Sequence, residues 1–242
     1  MASPMNEYLD RSRKRAQEQR RPVSELLFED FCWQSGIRCD RLAAQEVASG
    51  VFPKTPDYEL LIGGRTIIVE VKEITQNEEE RESERLLKKR GYGNVLRSTP
   101  GARVRKKIND ASPQIRKRTL GRFPGILALY EYDQMPRHLQ PYHIKTAMYG
   151  LEVMAIEIPA NPSINPYSTG TRFGPSKKMT QDANTSISAI AVLVVTPPAG
   201  FIQLRLFHNR YAAVPIDPAL LAREGVAQYQ IDIGSRAWVK TP

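Results

Sequence analysis

The chain has 242 residues, with 35 Lys and Arg against 26 Asp and Glu for a formal charge of +9 and a pI near 9.6. That length can bury a sizeable core in one large domain, and 41% apolar with 25% charged residues is a globular composition. No apolar run approaches the ~20 residues of a membrane span, the polar start lacks a signal-peptide apolar segment, and Cys32 and Cys39 alone exclude a disulfide framework or a four-cysteine zinc site. A reducing, cytoplasmic setting with no membrane partner is expected.

Residues 1–21 read as a basic, polar arm, helical or not, with little apolar surface to bury. Pro22 suits a first turn, Val23, Leu27 and Phe31 share a face, and Gly36 suits a stop, so a helix is expected over 22–35. Residues 37–45 fit a first strand. Thr55 to Lys72 then reads as a β-hairpin joined by Gly63-Gly64, a two-residue loop suited to turns that need φ > 0.

That loop sets Ile62 opposite Arg65 and, further down, Asp57 opposite Glu70. Opposed residues share a sheet face, and their side chains are close enough to interact. Lys72 lies two residues beyond Glu70 and so shares that face, with Ile67, Val69 and Val71 on the other. Like charges directly opposed are unfavourable, so the two carboxylates call for a cation, either Lys72 or a divalent metal.

Residues 73–102 interrupt the pattern with a mixed-charge helix at 78–90, acidic half first, followed by a loop marked by Gly91, Gly93, Pro100 and Gly101. A basic helix is expected over much of 102–120, with Pro113 either kinking it or opening a fresh turn capped by Ser112. Residues 124–132 read as a buried strand. A short helix near 142–149, a strand at 151–158, a hairpin of 187–196 with 201–207, a short helix at 218–224 and a closing strand pair in 226–240 follow. Residues 159–186, rich in Pro, Gly, Ser, Asn and Thr, are expected to be a flexible loop, with a lid over a cleft as the alternative.

Pro56-Asp57, a twelve-residue gap and Glu70-Val71-Lys72 resemble the PD-(D/E)XK nuclease superfamily. The resemblance covers residues 22–132 and implies an α/β, restriction-endonuclease-like α-β-β-β-α-β core, its mixed sheet flanked by helices. On this reading 73–102 is a charged helical insertion and 133–242 a C-terminal β-rich elaboration of the same domain. The implied activity is Mg²⁺-dependent hydrolysis of DNA by an endonuclease, with Mn²⁺ able to substitute and RNA not excluded. Mg²⁺ favours carboxylate oxygens, so Asp57 and Glu70 would be ligands, with the Val71 carbonyl a third. Lys72 would orient or deprotonate the attacking water. Relatives that cut both strands as dimers make a homodimer an expectation too.

Many relatives carry a further acid on the first helix. Glu25 and Glu29 share a helical face, and Glu25 is preferred for its distance to Gly36; a solvent-facing polar stripe is the plainer account of both. RecB-like exonucleases place a Gln on the helix after the lysine, with Tyr four residues later. Gln114 fits the first position, but Arg118 stands at the second, so Gln114 is expected at the surface or facing substrate, and Glu73 in solvent. Arg103, Arg105, Lys106, Lys107, Arg116, Lys117 and Arg118 would hold nucleic-acid backbone, although a merely solvated basic face explains that cluster as well.

Other sites are weaker. His138, His143 and His208 have no metal-ligand spacing with the cysteines, no phosphate loop or nucleophile elbow is present, and Trp33 and Trp238 are expected to pack. Three rivals stand beside the nuclease reading: a cross-strand salt-bridge cluster with no activity, a non-catalytic nucleic-acid-binding or assembly protein that keeps the fold, and a basic protein that docks on an acidic partner.

Overall fold

The computed structural model describes residues 3–42, 55–92, 99–132, 138–161, 163–196 and 200–241. Helix α1 (Pro4–Gln19) begins at Ser3, whose side chain accepts the Asn6 N–H. It is no free arm. Leu9, Ser12 and Ala16 are buried, the Tyr8 hydroxyl donates to Asp30 at 2.9 Å, and the Arg13 guanidinium lies 4.7 Å over the Tyr132 ring. The buried stripe of α1 has one large apolar residue, so hydrophobic periodicity gave little sign of it. Helix α2 (Val23–Gln34) matches the expected span and buries Val23, Leu26, Leu27, Phe28 and Phe31.

Strand β1 (Arg38–Arg41) is shorter than expected; positions 43–45 lie outside the described residues, as does Gly93 in the later loop. Strands β2 (Tyr58–Ile62) and β3 (Arg65–Ile74) form the hairpin in the expected register, Ile62 opposite Arg65 through Tyr58 opposite Val69. Gly63 and Gly64 have φ of 57° and 75°, the left-handed conformations a type I′ turn requires.

Helix α3 (Glu78–Arg90) opens on a reciprocal capping box of Asn77 and Glu80. Helix α4 (Ala102–Thr119) runs as one element through Pro113, which is exposed, so neither a break nor a fresh start occurs. Strand β4 (Gly125–Glu131) is buried at every position. Helix α5 (Pro141–Tyr149) and strands β5 (Glu152–Glu157), β6 (Tyr167–Phe173), β7 (Ala189–Thr196), β8 (Phe201–His208), β9 (Val226–Ile231) and β10 (Trp238–Lys240) complete the chain, with a 3-10 turn at Pro218–Leu221.

The expectation of a structureless 159–186 is corrected. The stretch contains β6, paired antiparallel with β5, and Met179 is fully buried. Most of β6 is exposed, so no apolar face marks it; backbone pairing alone makes it a strand.

Among the described residues eight strands form one mixed sheet in the order β1-β2-β3-β4-β7-β8-β9-β10, with β5 and β6 a separate ribbon. Strand β3 is antiparallel to β2 and parallel to β4, which is in turn parallel to β7. One apolar core lies between the sheet and α2, the other between the sheet and helices α4 and α5. The molecule is therefore a mixed α/β fold with helices on both sheet faces, and β7 to β10 extend the same sheet. No helix among the described residues is long and apolar enough to cross a membrane.

Candidate active site

Alternation along β3 divides its residues between the two cores. Ile67, Val69 and Val71 pack toward α2, while Ile74 packs toward α4. Glu70 and Lys72 share the side of Ile74 by the period of two. Extending the β2–β3 register by one residue sets Asp57 opposite Glu70. Asp57 Oδ2 accepts the Val71 N–H at 2.7 Å. In extended backbone the N–H and C=O of one residue point to the same side, so the Val71 carbonyl also faces the Asp57 edge.

Glu70 has no exposed surface. Its Oε1 accepts from Lys72 Nζ in a close ion pair. Gln114 on α4 reaches the same atom. With its amide turned as its neighbours dictate, its nitrogen donates to Glu70 Oε1 at 2.9 Å and to the Asp110 carbonyl at 3.2 Å. Among the described residues Glu70 Oε2 is buried with no hydrogen-bond partner, a costly state for a carboxylate oxygen.

The charges respond as this geometry demands. Burial first and the Asp57 charge second push the Glu70 carboxyl up to about 7, against the pull of Lys72. Burial also raises Asp57, with the Val71 N–H and Lys72 opposing. Burial disfavours the Lys72 ammonium, but Glu70, Asp57 and Asp110 outweigh it and hold the lysine above its ordinary range. Lys72 is thus a persistent cation, which weighs against proton abstraction by this residue and for charge stabilisation.

Glu25 is nearly buried and lies close enough to raise the Asp57 carboxyl. Arg21 and Arg41 each reach Glu25 Oε2 at 3.1 Å. Glu29 is held instead by Arg21 at 2.5 Å and the Tyr58 hydroxyl at 2.9 Å. Of the two acids, Glu25 is the one near Asp57, and neither is a freely solvated stripe. Glu73 corrects the expectation of a solvated side chain: its Oε2 accepts the Ser24 N–H at 3.2 Å. Pro22 supplies no side-chain cap to α2, so Glu73 takes that role from across the core face.

The basic residues of α4 divide in two. Arg103 donates to the Thr75 carbonyl at 3.0 Å and pairs with Glu80 at 2.8 Å, and Arg105 donates to the Pro100 carbonyl at 2.9 Å, so both have structural work. Lys106, Arg116, Lys117 and Arg118 are exposed, with Arg118 3.5 Å from Glu59. His138 Nε2 lies 3.0 Å from Glu80 and His208 Nε2 2.9 Å from Gln228. Trp238 packs against Phe207 at 4.9 Å between ring centroids, but Trp33 is 83% exposed, so its expected packing is corrected: two residues on from the buried Phe31, it falls on the opposite, outward face of α2.

The fit of a divalent ion rests on the donors themselves. Among the described residues no three His, Cys, Asp or Glu side chains converge as a metal cluster. The set here is smaller: Asp57, the orphaned Oε2 of Glu70 and the Val71 carbonyl. Mg²⁺ commonly uses one or two carboxylates and keeps its remaining waters, so this donor set suits it. Arg41 and the α2 cap on Glu73 are the parts of the neighbourhood that sequence patterning missed, because both depend on which strand lies beside which helix. Compared with family models, curated proteins and solved structures, the chain matches none.

Proposed function

We propose that the protein is a divalent-metal-dependent nuclease of the PD-(D/E)XK type, hydrolysing phosphodiester bonds of DNA. One observation carries this reading: Asp57, Lys72 and a fully buried Glu70 with an unsatisfied oxygen meet at one end of a register-matched hairpin. An isolated salt-bridge cluster gives no reason to bury that oxygen without a partner. The order α2, β1, β2, β3, α4, β4, with α3 inserted, agrees with the restriction-endonuclease-like core the motif implies.

Asp57, Glu70 and the Val71 carbonyl would hold Mg²⁺, or Mn²⁺ in its place. The bound ion would lower the pKa of its water and offset charge on the phosphoryl group. Lys72, kept protonated by its carboxylate neighbours, orients the attacking water and stabilises negative charge growing on the phosphoryl oxygens. Gln114 and Lys72 both engage Oε1 of Glu70, which leaves Oε2 as the atom that would serve the ion, and Glu25, clamped by two arginines, shapes the field at Asp57. Exposed Lys106, Arg116, Lys117 and Arg118 draw in the backbone of DNA, and the same attraction would serve RNA. A homodimer would place two such sites on opposite strands, and two free thiols suit a cytoplasmic setting.

The test is cleavage of plasmid and linear DNA by purified protein in MgCl₂. Asp57→Ala and Lys72→Ala should each lower the rate by about 100-fold or more, with circular dichroism and DNA affinity in EDTA nearly unchanged. Equal cutting by wild type and both variants would trace the activity to a contaminant and end the assignment. A second reading, a nucleic-acid-binding protein without turnover, is favoured by the ion pair that already occupies Glu70 Oε1. It predicts salt-sensitive DNA binding that Mg²⁺ leaves unaltered, and no product.

A further inference from the structure

Arg103, Lys107, Asp110, Gln114 and Arg118 recur at steps of three and four along α4 and so lie on one helical face. Three of the five are fixed to the strands beneath. Arg103 holds the Thr75 carbonyl just beyond β3, Gln114 holds Glu70 within β3, and Arg118 approaches Glu59 on β2. Between the first two anchors the stripe passes over the end of β3, where Lys72 faces α4 and Glu73 faces α2. Lys107 occupies that interval, and the charges of Lys72, Glu73 and Asp110 all reach it.

Its circumstances differ from those of the other basic residues of α4. Lys107 is half-buried, whereas Lys106 beside it is exposed. Among the described residues it makes no ion pair within 4 Å, since Glu70 is taken by Lys72 and Glu80 by Arg103. Burial pushes its ammonium below the usual lysine range, and the repulsion of Lys72 adds to this against Asp110 and Glu73. A cation partly stripped of water beside a second cation is electrostatically incomplete, and a ligand of negative charge completes it.

We propose that Lys107 is a catalytic cation of this site, holding a non-bridging oxygen of the phosphate whose ester is cut, next to Lys72. The assignment rests on the phosphodiester reading and goes beyond general attraction of the backbone by α4. A phosphate contact made only for tracking lowers affinity, whereas a contact at the reacting group lowers the rate at saturation.

Two measurements test it. In single-turnover cleavage at saturating DNA with Mg²⁺, Lys107→Gln should reduce the rate constant by about 10- to 100-fold, with DNA affinity in EDTA changed by less than about threefold. Lys107→Arg should restore most of the rate. In the second, inorganic phosphate is titrated into metal-free protein with ¹³C-labelled lysines, and the Lys107 side-chain resonance, assigned by its loss in Lys107→Gln, should shift and saturate. Full-speed cleavage by Lys107→Gln, or phosphate that moves other lysines but not Lys107, would overturn the proposal. Should phosphate dock at Lys107 while wild type cuts no DNA, the anion site stands and hydrolysis falls. Should wild type cut and Lys107→Gln cut equally well, hydrolysis stands and this role for Lys107 falls.

Discussion

Glu70 combines complete burial, a like charge at Asp57 and an unsatisfied oxygen, and its carboxyl rises from 4.5 to about 7. Between those values the folded chain holds a proton that the unfolded chain has released. The stabilisation from this group is therefore full below about pH 4.5 and is lost as pH rises through about 7. Its span is on the order of 3 kcal/mol, and Asp57 and Glu73, both raised by burial, act in the same direction. Urea denaturation in EDTA should show wild-type stability falling from pH 5 to pH 8, with a flatter profile for Glu70→Gln. Identical slopes would assign the pH dependence to other groups. The triad was legible from sequence because a period of two and a two-residue turn fix which side chains share a face. The approach of Gln114 to Glu70 and the arginine clamp on Glu25 were not, since both require helices docked on the sheet.

At the scale of elements, close approach governs how α4 sits on the strands that carry the site. A Cβ built on Gly125 would fall 2.3 Å from Ile115 Cγ2 and 2.5 Å from the Ser186 carbonyl. The isoleucine could turn, but the carbonyl is backbone and its segment feeds β7. Gly125→Ala should thus cost about 1–3 kcal/mol through overpacking, read as a lowered urea midpoint. A midpoint equal to that of wild type would mean that the 186 segment gives way freely. The hairpin, α2, α4 and β4 could be anticipated because each carries a local signature: a turn dipeptide, an apolar face between Pro22 and Gly36, a basic amphipathic run or a short apolar block. The docking of α1, read as a polar arm, and strand β6 could not. The helix presents Leu9 as its sole large buried apolar residue and takes its place from α2 and Tyr132. The other element is almost wholly exposed and is made a strand by pairing with β5. Glu73 shows the same limit within one element, since a charge read as solvated terminates a helix that lacks its own cap.

For the molecule as a whole, the eight-stranded sheet supports the site from both flanks: β2 brings Asp57 from one side of β3, while β4 lies on the other. The β2–β3 hairpin is a local contact that needs only its turn. Strand β4 joins β3 in parallel and is then closed by β7, as shown by the Gly125 N–H, which donates to the hydroxyl of Ser188, 63 residues along the chain. Pairings of such separation are slow to form. The hairpin can therefore place Asp57 opposite Glu70 early, but the burial that leaves Glu70 Oε2 unsatisfied arises only when α4 and β4 have docked. A divalent ion held by these groups would stabilise a contact absent at the folding barrier. Stopped-flow measurements should then show Mg²⁺ slowing unfolding while refolding keeps its metal-free rate, and a matching acceleration of refolding would mean that the site forms before the parallel strands close. In that order of events the parallel strand pair would act as a clock for the site: a partly unfolded chain would have its acids in register before it could hold the proposed ion firmly.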